Sequence, residues 1–381
     1  MPTTPAQGHV VVAPDKFKGT LEGAEVAARL AAGIRRAAPG VEVRELPVAD
    51  GGEGTLAAAL AAGFTRVPAK VAGPTGLPVD AAIAVKDELA VVELAQASGL
   101  ARLPGGRTAP LAAGSYGVGQ LIARAVSLGA RRIVLGLGGS ACTDGGAGMV
   151  QALGAGLFDA EGVELPPGGA ALRRLHRLDP GPLADLLSGV EVVVACDVDN
   201  PLLGPRGATA VYGPQKGADG EDLVVLEAGL ARWAEVVRGV TGTDVSEAPG
   251  AGAAGGVGFA ALALLGATMR PGIELLLDLL GFDGAVRGAR LVVTGEGCLD
   301  EQTLHGKAPA GVAAAAAGAG VPVAAVAGRL ELSESEWRKA GFVAAYALTD
   351  LAEQPGDSLT KAAELAETAG ERLAGDLLAG A

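Results

Sequence analysis

The sequence predicts an α/β protein built on a buried parallel sheet. Short apolar runs recur along the chain, and each is followed by a loop and then by a segment of helical periodicity. The hydrophobic content is 49% while aromatic residues make up only 3%, so the core must consist mainly of aliphatic side chains. Such a core suits helices packed on the two faces of a sheet.

Seven runs have the character of buried strands. In chain order they are HVVVAP, VEVRELPV, RRIVLGL, VEVVVACDV, LVVTGE, VPVAAVAG and FVAAYAL. Helical periodicity occurs in LEGAEVAARLAAGIRRA after Thr20, in EDLVVLEAGLARWAEVVRGV and in the tail after Asp357. The segment DAAIAVKDELAVVELA has instead the alternation of a β-hairpin, with KDEL at its turn. The sheet in the middle of the chain is therefore expected to be mixed.

The length predicts two domains. A chain of 381 residues exceeds the roughly 250–300 residues at which a single core stops growing. We expect a discontinuous Rossmann-like α/β domain with a parallel sheet, formed by residues 1–75 and 285–381. Residues 76–284 are expected to be inserted into it as a second α/β domain, with the mixed sheet. One large doubly wound domain is the alternative.

Charge and cysteine content exclude several classes of protein. The net charge of −13 argues against a nucleic-acid partner and against an anionic membrane surface. Two long uncharged stretches, AGAAGGVGFAALALLGATM and GVAAAAAGAGVPVAAVAG, consist mostly of Ala and Gly, which favours loops or buried helices over membrane spans. Cys142, Cys196 and Cys298 have no metal-type spacing, and no positive run precedes the first apolar segment. We expect a reduced, cytoplasmic chain.

Five polar, glycine-rich sequence motifs, here called words, each follow one of the strands. They are DKFKG, ADGGEGT, GLGGSACTDGGAGM, CDVDNPLLG and GEGCLDEQTLHGKAP. In open α/β sheets, ligands bind at the carboxyl ends of the strands, so these scattered words can converge on one crevice.

The third word has the composition of an anion-binding turn. A glycine-rich turn that leads into a helix presents backbone N–H groups to a phosphate. Gly138, Gly139 and Ser140 would approach the phosphates, and Asp144 would be placed for a metal or a hydroxyl. The word matches neither the P-loop nor a regular GxGxxG pattern, so a tight turn with close helix packing is the alternative.

Lysines and carboxylates accumulate in the same words. Only 8 of the 30 basic residues are lysines, and four of these lie in short glycine-rich segments: Lys16, Lys18, Lys216 and Lys307. A compact ammonium beside glycine suits a phosphate or a carboxylate ligand. Nine acidic residues share the loops, namely Asp15, Asp50, Glu53, Asp144, Asp197, Asp199, Glu296, Asp300 and Glu301. Phosphoryl transfer from Mg-ATP requires this combination of acids, cations and phosphate-binding amides.

Taken together, the words resemble the bacterial glycerate kinase family. The resemblance rests on APDKFKGT, VADGGEGT, GLGGSACTDGGAGM, CDVDNPL, GPQKGA, GAAGGVG and TGEGCLDEQTLHGKAP, in this order. It implies ATP- and Mg²⁺-dependent transfer to D-glycerate, usually to the 2-hydroxyl, in a two-domain α/β fold with its active site in the cleft between the domains. In two places the chain departs from the family pattern. Ala141, Cys142, Thr143 and Asp144 stand where Ala-Thr-Asn-Asp is common, and Cys298 stands where arginine is common.

The residue types and the resemblance suggest a role for each site residue. Lys16 and Lys18 are expected at the glycerate carboxylate or the transferred phosphoryl group. Asp197 is the first choice for the base or a magnesium contact, and Asp50 and Asp300 come next. The expected ATP-binding residues are Gly138, Gly139, Ser140, Asp144, Lys216 and Lys307. The expected substrate-binding residues are Asp15, Asn200, Gln215, Glu296 and Gln302, and the expected magnesium ligands are Asp197 and Glu296.

Several alternatives stay open from the residues alone. A protein that binds a sugar acid without chemistry would also need cations and amides, but it has little use for so many acids near an anion. A dinucleotide-dependent dehydrogenase is disfavoured because the first glycine-rich word lacks GxGxxG and the acid that follows it. Transfer to the 3-hydroxyl, giving 3-phosphoglycerate, is not distinguished from transfer to the 2-hydroxyl, nor is a monomer from a homodimer.

Overall fold

A computed structural model describes residues 8–378, apart from the side chain of His305, and confirms the mixed α/β class. In these residues the strands are β1 (His9–Pro14), β2 (Val43–Glu45), β3 (Thr65–Ala72), β4 (Pro78–Lys86), β5 (Leu89–Glu93), β6 (Arg132–Gly136), β7 (Gly156–Phe158), β8 (Arg177–Asp179), β9 (Glu191–Ala195), β10 (Thr268–Arg270), β11 (Ala289–Leu299), β12 (Val323–Leu330) and β13 (Phe342–Ala347). Each of the seven runs predicted as strands overlaps one of these strands.

The helices alternate with the strands. They are α1 (Gly23–Ala37), α2 (Thr55–Ala61), α3 (Ala95–Ser98), α4 (Tyr116–Ser127), α5 (Ala147–Ala152), α6 (Gly181–Leu186), α7 (Ala208–Tyr212), α8 (Gly220–Thr241), α9 (Ala253–Leu264), α10 (Gly272–Leu280), α11 (Phe282–Val286), α12 (Ala308–Gly318), α13 (Glu334–Lys339), α14 (Leu348–Leu351), α15 (Asp357–Thr360) and α16 (Ala362–Leu377). Short 3-10 helices lie at Leu100–Arg102, Pro104–Gly106, Gly169–Arg174, Pro214–Lys216 and Glu301–His305. Among the helices that the structure describes, none has the length and apolar character that a membrane span requires.

The chain divides into two compact units. The first comprises the described residues up to Asp50, then Ala57–Ala62, and then those from Ile273 onward. The second comprises Gly51–Leu56 and Gly63–Gly272. The boundaries expected from the sequence, at residues 75 and 285, lie later in the chain than those of the structure. The reason is that strand β3 pairs with β4 in the second unit and that most of α10 belongs to the first.

The first unit is built on a parallel sheet with strand order β13-β12-β11-β1-β2. Successive residues of β1 point to opposite faces: Val10 and Val12 belong to one apolar cluster, and Val11 and Ala13 belong to another. All four side chains are fully buried. A strand that is buried on both faces explains why its sequence is a continuous apolar run instead of an alternating one.

The second unit is built on a mixed sheet with strand order β10-β9-β6-β5-β4-β3. Strands β3, β4 and β5 are antiparallel neighbours, whereas β5, β6, β9 and β10 are parallel. The expected hairpin is present as β4–β5, and its turn contains Asp87 with a φ of 52°. Strands β7 and β8 form a separate antiparallel pair. The mixed sheet expected in the middle of the chain is thus confirmed.

Candidate active site

Three carboxylates of the first unit meet at the carboxyl edge of its sheet. Strands β1 and β11 are parallel, with Pro14 opposite Gly295, so the next residues, Asp15 and Glu296, are neighbours. The backbone N–H of Asp15 donates to the carbonyl of Gly295 at 2.8 Å. Asp50 follows β2, on the other side of β1, and its charge acts on Asp15. The strand register therefore gathers acids that are up to 281 positions apart in the sequence.

This setting changes the acidity of Asp15. Burial and the nearby charges of Asp50 and Glu296 raise the pKa of Asp15 from 3.8 to about 7. The backbone N–H of Lys16, which donates to Asp15 Oδ1 at 2.7 Å, and the Lys16 ammonium act in the opposite direction. A carboxyl group with a pKa near neutrality can exchange protons at physiological pH.

Glu296 is itself buried and held from two sides. Thr303 Oγ1 donates to Glu296 Oε1 at 2.5 Å, and Lys307 Nζ lies 3.5 Å from Glu296 Oε2. The same ammonium lies 3.6 Å from Asp300 Oδ1. Burial raises the pKa of Glu296, and the contacts with Thr303 and Lys307 partly offset that effect. Asp300 also accepts the backbone N–H of Gln302 at 2.9 Å, so it caps the short 3-10 helix that carries Thr303.

The two lysines of the first word lie in a tight loop directly after β1. Phe17 anchors this loop, because its side chain is buried and its backbone N–H donates to the carbonyl of Leu21 at 2.8 Å. Lys16 is partly exposed and Lys18 is exposed. Gly297 of β11 packs against the loop, where a Cβ would lie 3.0 Å from the backbone nitrogen of Lys18. The buried Phe17 thus anchors the loop that carries Lys16 and Lys18 directly after the carboxyl end of β1.

In the second unit, two glycine-rich words pack against each other. A Cβ on Gly138 would collide with the backbone of Gly52, and a Cβ on Gly139 would lie 2.6 Å from Glu53 Oε1. Gly139 also has a φ of 71°, which disfavours any residue with a side chain. Ser140 follows in a buried position. At these two positions the loop after β6 is packed against Gly52 and Glu53 and has no room for a side chain.

Asp144 points into the interior of this unit. Its side chain is fully buried, and Oδ2 accepts hydrogen bonds from Ser115 N at 2.8 Å, Ser115 Oγ at 2.9 Å and Gly148 N at 3.1 Å. Oδ1 accepts from Gly146 N at 3.2 Å. In this arrangement the carboxylate joins the start of α4 to the start of α5.

Lys216 is also directed inward. Its side chain is 2% exposed, and Nζ donates to the carbonyl of Cys142 at 2.5 Å. Burial lowers the pKa of Lys216, because it penalises the charged ammonium. The buried ammonium thus supports the same glycine-rich word that contains Asp144.

The remaining second-unit candidates are nearer the surface. Asp197 is exposed, and its Oδ1 accepts the backbone N–H of Gly272 at 2.7 Å. The Asn200 side chain accepts from Tyr212 Oη at 2.5 Å and donates to the carbonyl of Arg206 at 2.8 Å. Gln215 is exposed in the 3-10 helix before Lys216.

The structure thus places the candidates in two sets, one in each unit. The first-unit set is Asp15, Lys16, Lys18, Asp50, Glu296, Asp300, Gln302 and Lys307. The second-unit set is Gly138, Gly139, Ser140, Asp144, Asp197, Asn200, Gln215 and Lys216. Sequence reasoning missed Thr303, although Asp300 three positions before it has the spacing of a capping box. It also missed Arg329 at the end of β12, which lies in no polar word.

Comparison with known proteins agrees with the words and the fold. The model of the Glycerate kinase family matches residues 10–378. A protein of Bacillus subtilis named Glycerate kinase is 42% identical over 371 residues, which cover 97% of each chain. A protein of Escherichia coli named Glycerate 2-kinase is 45% identical over 325 residues, which cover 84% of this chain and 85% of the relative.

A solved structure agrees as well. The crystal structure of a glycerate kinase 2 candidate from Salmonella typhimurium LT2 superposes with a TM-score of 0.86 at 40% identity, covering 98% of this chain and 99% of the other. These matches span both units and nearly the full length of the relatives. The chain therefore belongs to the glycerate kinase family.

Proposed function

We propose that this protein transfers the γ-phosphoryl group of ATP to the 2-hydroxyl of D-glycerate, giving 2-phosphoglycerate and ADP. The observation that carries the proposal is the gathering of Asp15, Asp50 and Glu296 beside Lys16 and Lys307 at one sheet edge. The name of the Escherichia coli relative, Glycerate 2-kinase, supports the choice of hydroxyl.

The first-unit set suits the acceptor side of the reaction. Phosphoryl transfer passes through a loose transition state, so the protein must mainly position the reactants and neutralise charge. Lys16 and Lys18 supply positive charge for the glycerate carboxylate or the transferred group. Asp15 is the proton acceptor we favour, because it lies between the lysine loop and Glu296. The sequence favoured Asp197 for this role, but its Oδ1 already accepts the N–H of Gly272.

Two of the carboxylates are the residues we propose for a magnesium ion. Mg²⁺ prefers oxygen ligands, and Asp50 and Glu296 offer carboxylate oxygens whose charges act on Asp15. A bound Mg²⁺ would neutralise charge on the phosphate oxygens of ATP. Asp50 and Glu296 would hold the ion from the first unit.

The second-unit set suits the nucleotide. The loop at Gly138 and Gly139 is a glycine-rich turn after β6, and the backbone N–H groups of such a turn can bind a phosphate. We propose that Asp144 and Lys216 fix the shape of this loop from the interior of the unit. Both side chains are buried, Asp144 accepts the backbone N–H of Gly148, and Lys216 donates to the carbonyl of Cys142.

The activity is tested with the purified protein, ATP, Mg²⁺ and D-glycerate. We expect ADP to form only when all three are present, and ³¹P–¹³C NMR of the product to place the phosphate on the 2-hydroxyl. A product phosphorylated on the 3-hydroxyl would correct the position of transfer. D-glycerate binding without any ADP would instead indicate a sugar-acid-binding protein.

Lys18 provides a sharper test of the first-unit set. We expect Lys18→Ala to lower kcat/KM at least about a hundredfold, about 2.7 kcal/mol of transition-state stabilisation. Lys339→Ala removes another exposed lysine of the same unit, at the end of α13, and serves as the control. Equal kinetics for the two variants would remove Lys18 from the site.

A further inference from the structure

Strand β12 brings a guanidinium to the position where the chain departs from the family pattern. The sequence has Cys298 where the family commonly has arginine. In the sheet, Cys298 of β11 stands directly opposite Arg329 of β12. Arg329 Nη2 lies 3.8 Å from Cys298 Sγ, so the guanidinium extends over the small thiol side chain.

The surroundings of Arg329 belong to the first-unit set. Arg329 Nη2 also lies 2.7 Å from Glu331 Oε1, and the charge of Asp300 acts on the guanidinium. Asp300 in turn lies 3.6 Å from Lys307 Nζ. The hydrogen bond to Cys298, followed by the charge of Glu331, raises the pKa of Arg329. Asp300 therefore lies near two cations that come from different segments of the chain.

This cluster is better suited to an anion than to a metal ion. Cys298, Asp300 and Glu331 have ligand atoms within 4.8 Å of one another, which is close enough for a metal ion. The Arg329 guanidinium, however, already contacts two of the three and would repel a cation. Arg329 and Lys307 already have carboxylate partners, so an incoming anion replaces one of these partners instead of adding to them.

The guanidinium can reach a ligand without breaking a strong contact. Its side chain is 63% exposed, and an exposed ion pair such as that with Glu331 is weak and exchangeable. In the part of the chain that the structure describes, both contacts of Arg329 use Nη2. A planar oxyanion that accepts two parallel hydrogen bonds uses Nη2 together with Nε or Nη1, so such a ligand takes the place of Glu331 at Nη2.

We propose that Arg329 binds an anionic group of the reactants at the first-unit set, in place of the arginine that the family commonly has at position 298. The group is the carboxylate of the hydroxy acid or the phosphoryl group in transfer. This inference rests on the proposed kinase function. It adds a residue that no glycine-rich word contains.

The test compares Arg329→Ala with a matched control, Arg44→Ala. Arg44 forms the same kind of pair, with a glutamate two residues away at 2.7 Å, on an exposed part of the same unit. We expect Arg329→Ala to lower kcat/KM at least about tenfold, because charge-assisted hydrogen bonds are lost, and to leave the thermal midpoint as close to wild type as the control does. A rise in KM for D-glycerate identifies the carboxylate, and a fall in kcat with both KM values held identifies the phosphoryl group.

Rescue separates a local guanidinium requirement from a general effect of charge. The double variant Cys298→Arg/Arg329→Ala should recover most of the lost kcat/KM, because it returns a guanidinium to the same place from β11. Kinetics of Arg329→Ala equal to those of Arg44→Ala, or a double variant no better than Arg329→Ala, would overturn the inference. ADP formation by the wild-type protein is measured in parallel, so that failure of the kinase proposal is recognised separately.

Discussion

Replacement of Asp15 by asparagine should stabilise the protein at neutral pH while damaging its activity. The folded-state pKa of Asp15, about 7, lies above its ordinary value of 3.8. Between these values the unfolded chain has lost the proton and the folded chain keeps it, so stability falls as the pH rises through this window. Above pH 7 both states are ionised and the full destabilisation is present. The difference between 3.8 and about 7 corresponds to at most about 4 kcal/mol.

Asparagine removes this cost with little loss of contacts. Its side-chain oxygen can still accept the N–H of Lys16, which Asp15 Oδ1 accepts at 2.7 Å. No negative charge then faces Asp50 and Glu296 from this position. We expect the free energy of unfolding of Asp15→Asn to exceed that of wild type by about 2–4 kcal/mol at pH 8. The difference should shrink steadily toward pH 4.

Denaturant unfolding from pH 4 to 8 in magnesium-free buffer measures this difference. The chain has two tryptophans, Trp337 in the first unit and Trp233 in the second, so ¹⁹F-labelled tryptophan gives one signal for each unit. The change should appear in the Trp337 signal. Asp350→Asn, an exposed aspartate of the same unit, controls for the removal of one negative charge. A difference between Asp15→Asn and wild type that does not vary with pH would refute the reasoning.

The same variant tests the chemical role. If Asp15 accepts the proton of the substrate hydroxyl, Asp15→Asn should lower kcat by a factor of about 10²–10⁴. A variant that is more stable but less active is what a strained functional residue predicts. Wild-type turnover in a stabilised Asp15→Asn would assign the proton transfer to another group.

Two further predictions concern the second unit. Gly138→Ala should raise the KM for ATP more than about tenfold and reduce the free energy of unfolding by about 1–3 kcal/mol, since its Cβ would meet the backbone of Gly52. The control is Gly239→Ala, in open space on α8, which should be neutral or slightly stabilising. ATP kinetics and melting curves compare the two variants. Asp144→Asn should lower the unfolding free energy of the second unit by about 2–3 kcal/mol, because an amide NH₂ cannot accept the buried N–H groups that the carboxylate accepts. Asp159→Asn, at an exposed turn, should change it by about 0.5 kcal/mol or less, and a cost as large as that of Asp144→Asn would contradict this account.

Much of the fold could be predicted because its signals are local. The apolar run of β1 is buried on both faces, and the alternation in residues 80–95 covers most of the β4–β5 hairpin. The polar words follow the strands as expected, since a strand ends where its apolar run ends. Unit boundaries are less local, because they depend on which strand pairs with β3 and where α10 packs.

The burial of the candidate site residues could not be predicted from local sequence signals. Asp144 and Lys216 share the polar words with Asp15 and Lys18, yet the first two are buried and hydrogen-bonded inside the second unit. No composition rule separates the two pairs, because burial depends on elements that are distant in sequence. Arg329 lies at the end of an apolar strand, and only its pairing with Cys298 relates it to the site.

The sequence by itself determined the α/β class, the order of the strands along the chain, the words at their carboxyl ends and the glycerate kinase resemblance. Only the tertiary structure decided which acids meet, which of them has a pKa near neutrality and which polar side chains turn inward. The physical reason is that the positions of helices and strands along the chain depend on the pattern of residues that are close together in the sequence. Desolvation and charge interactions instead depend on strand register and packing between residues that lie hundreds of positions apart.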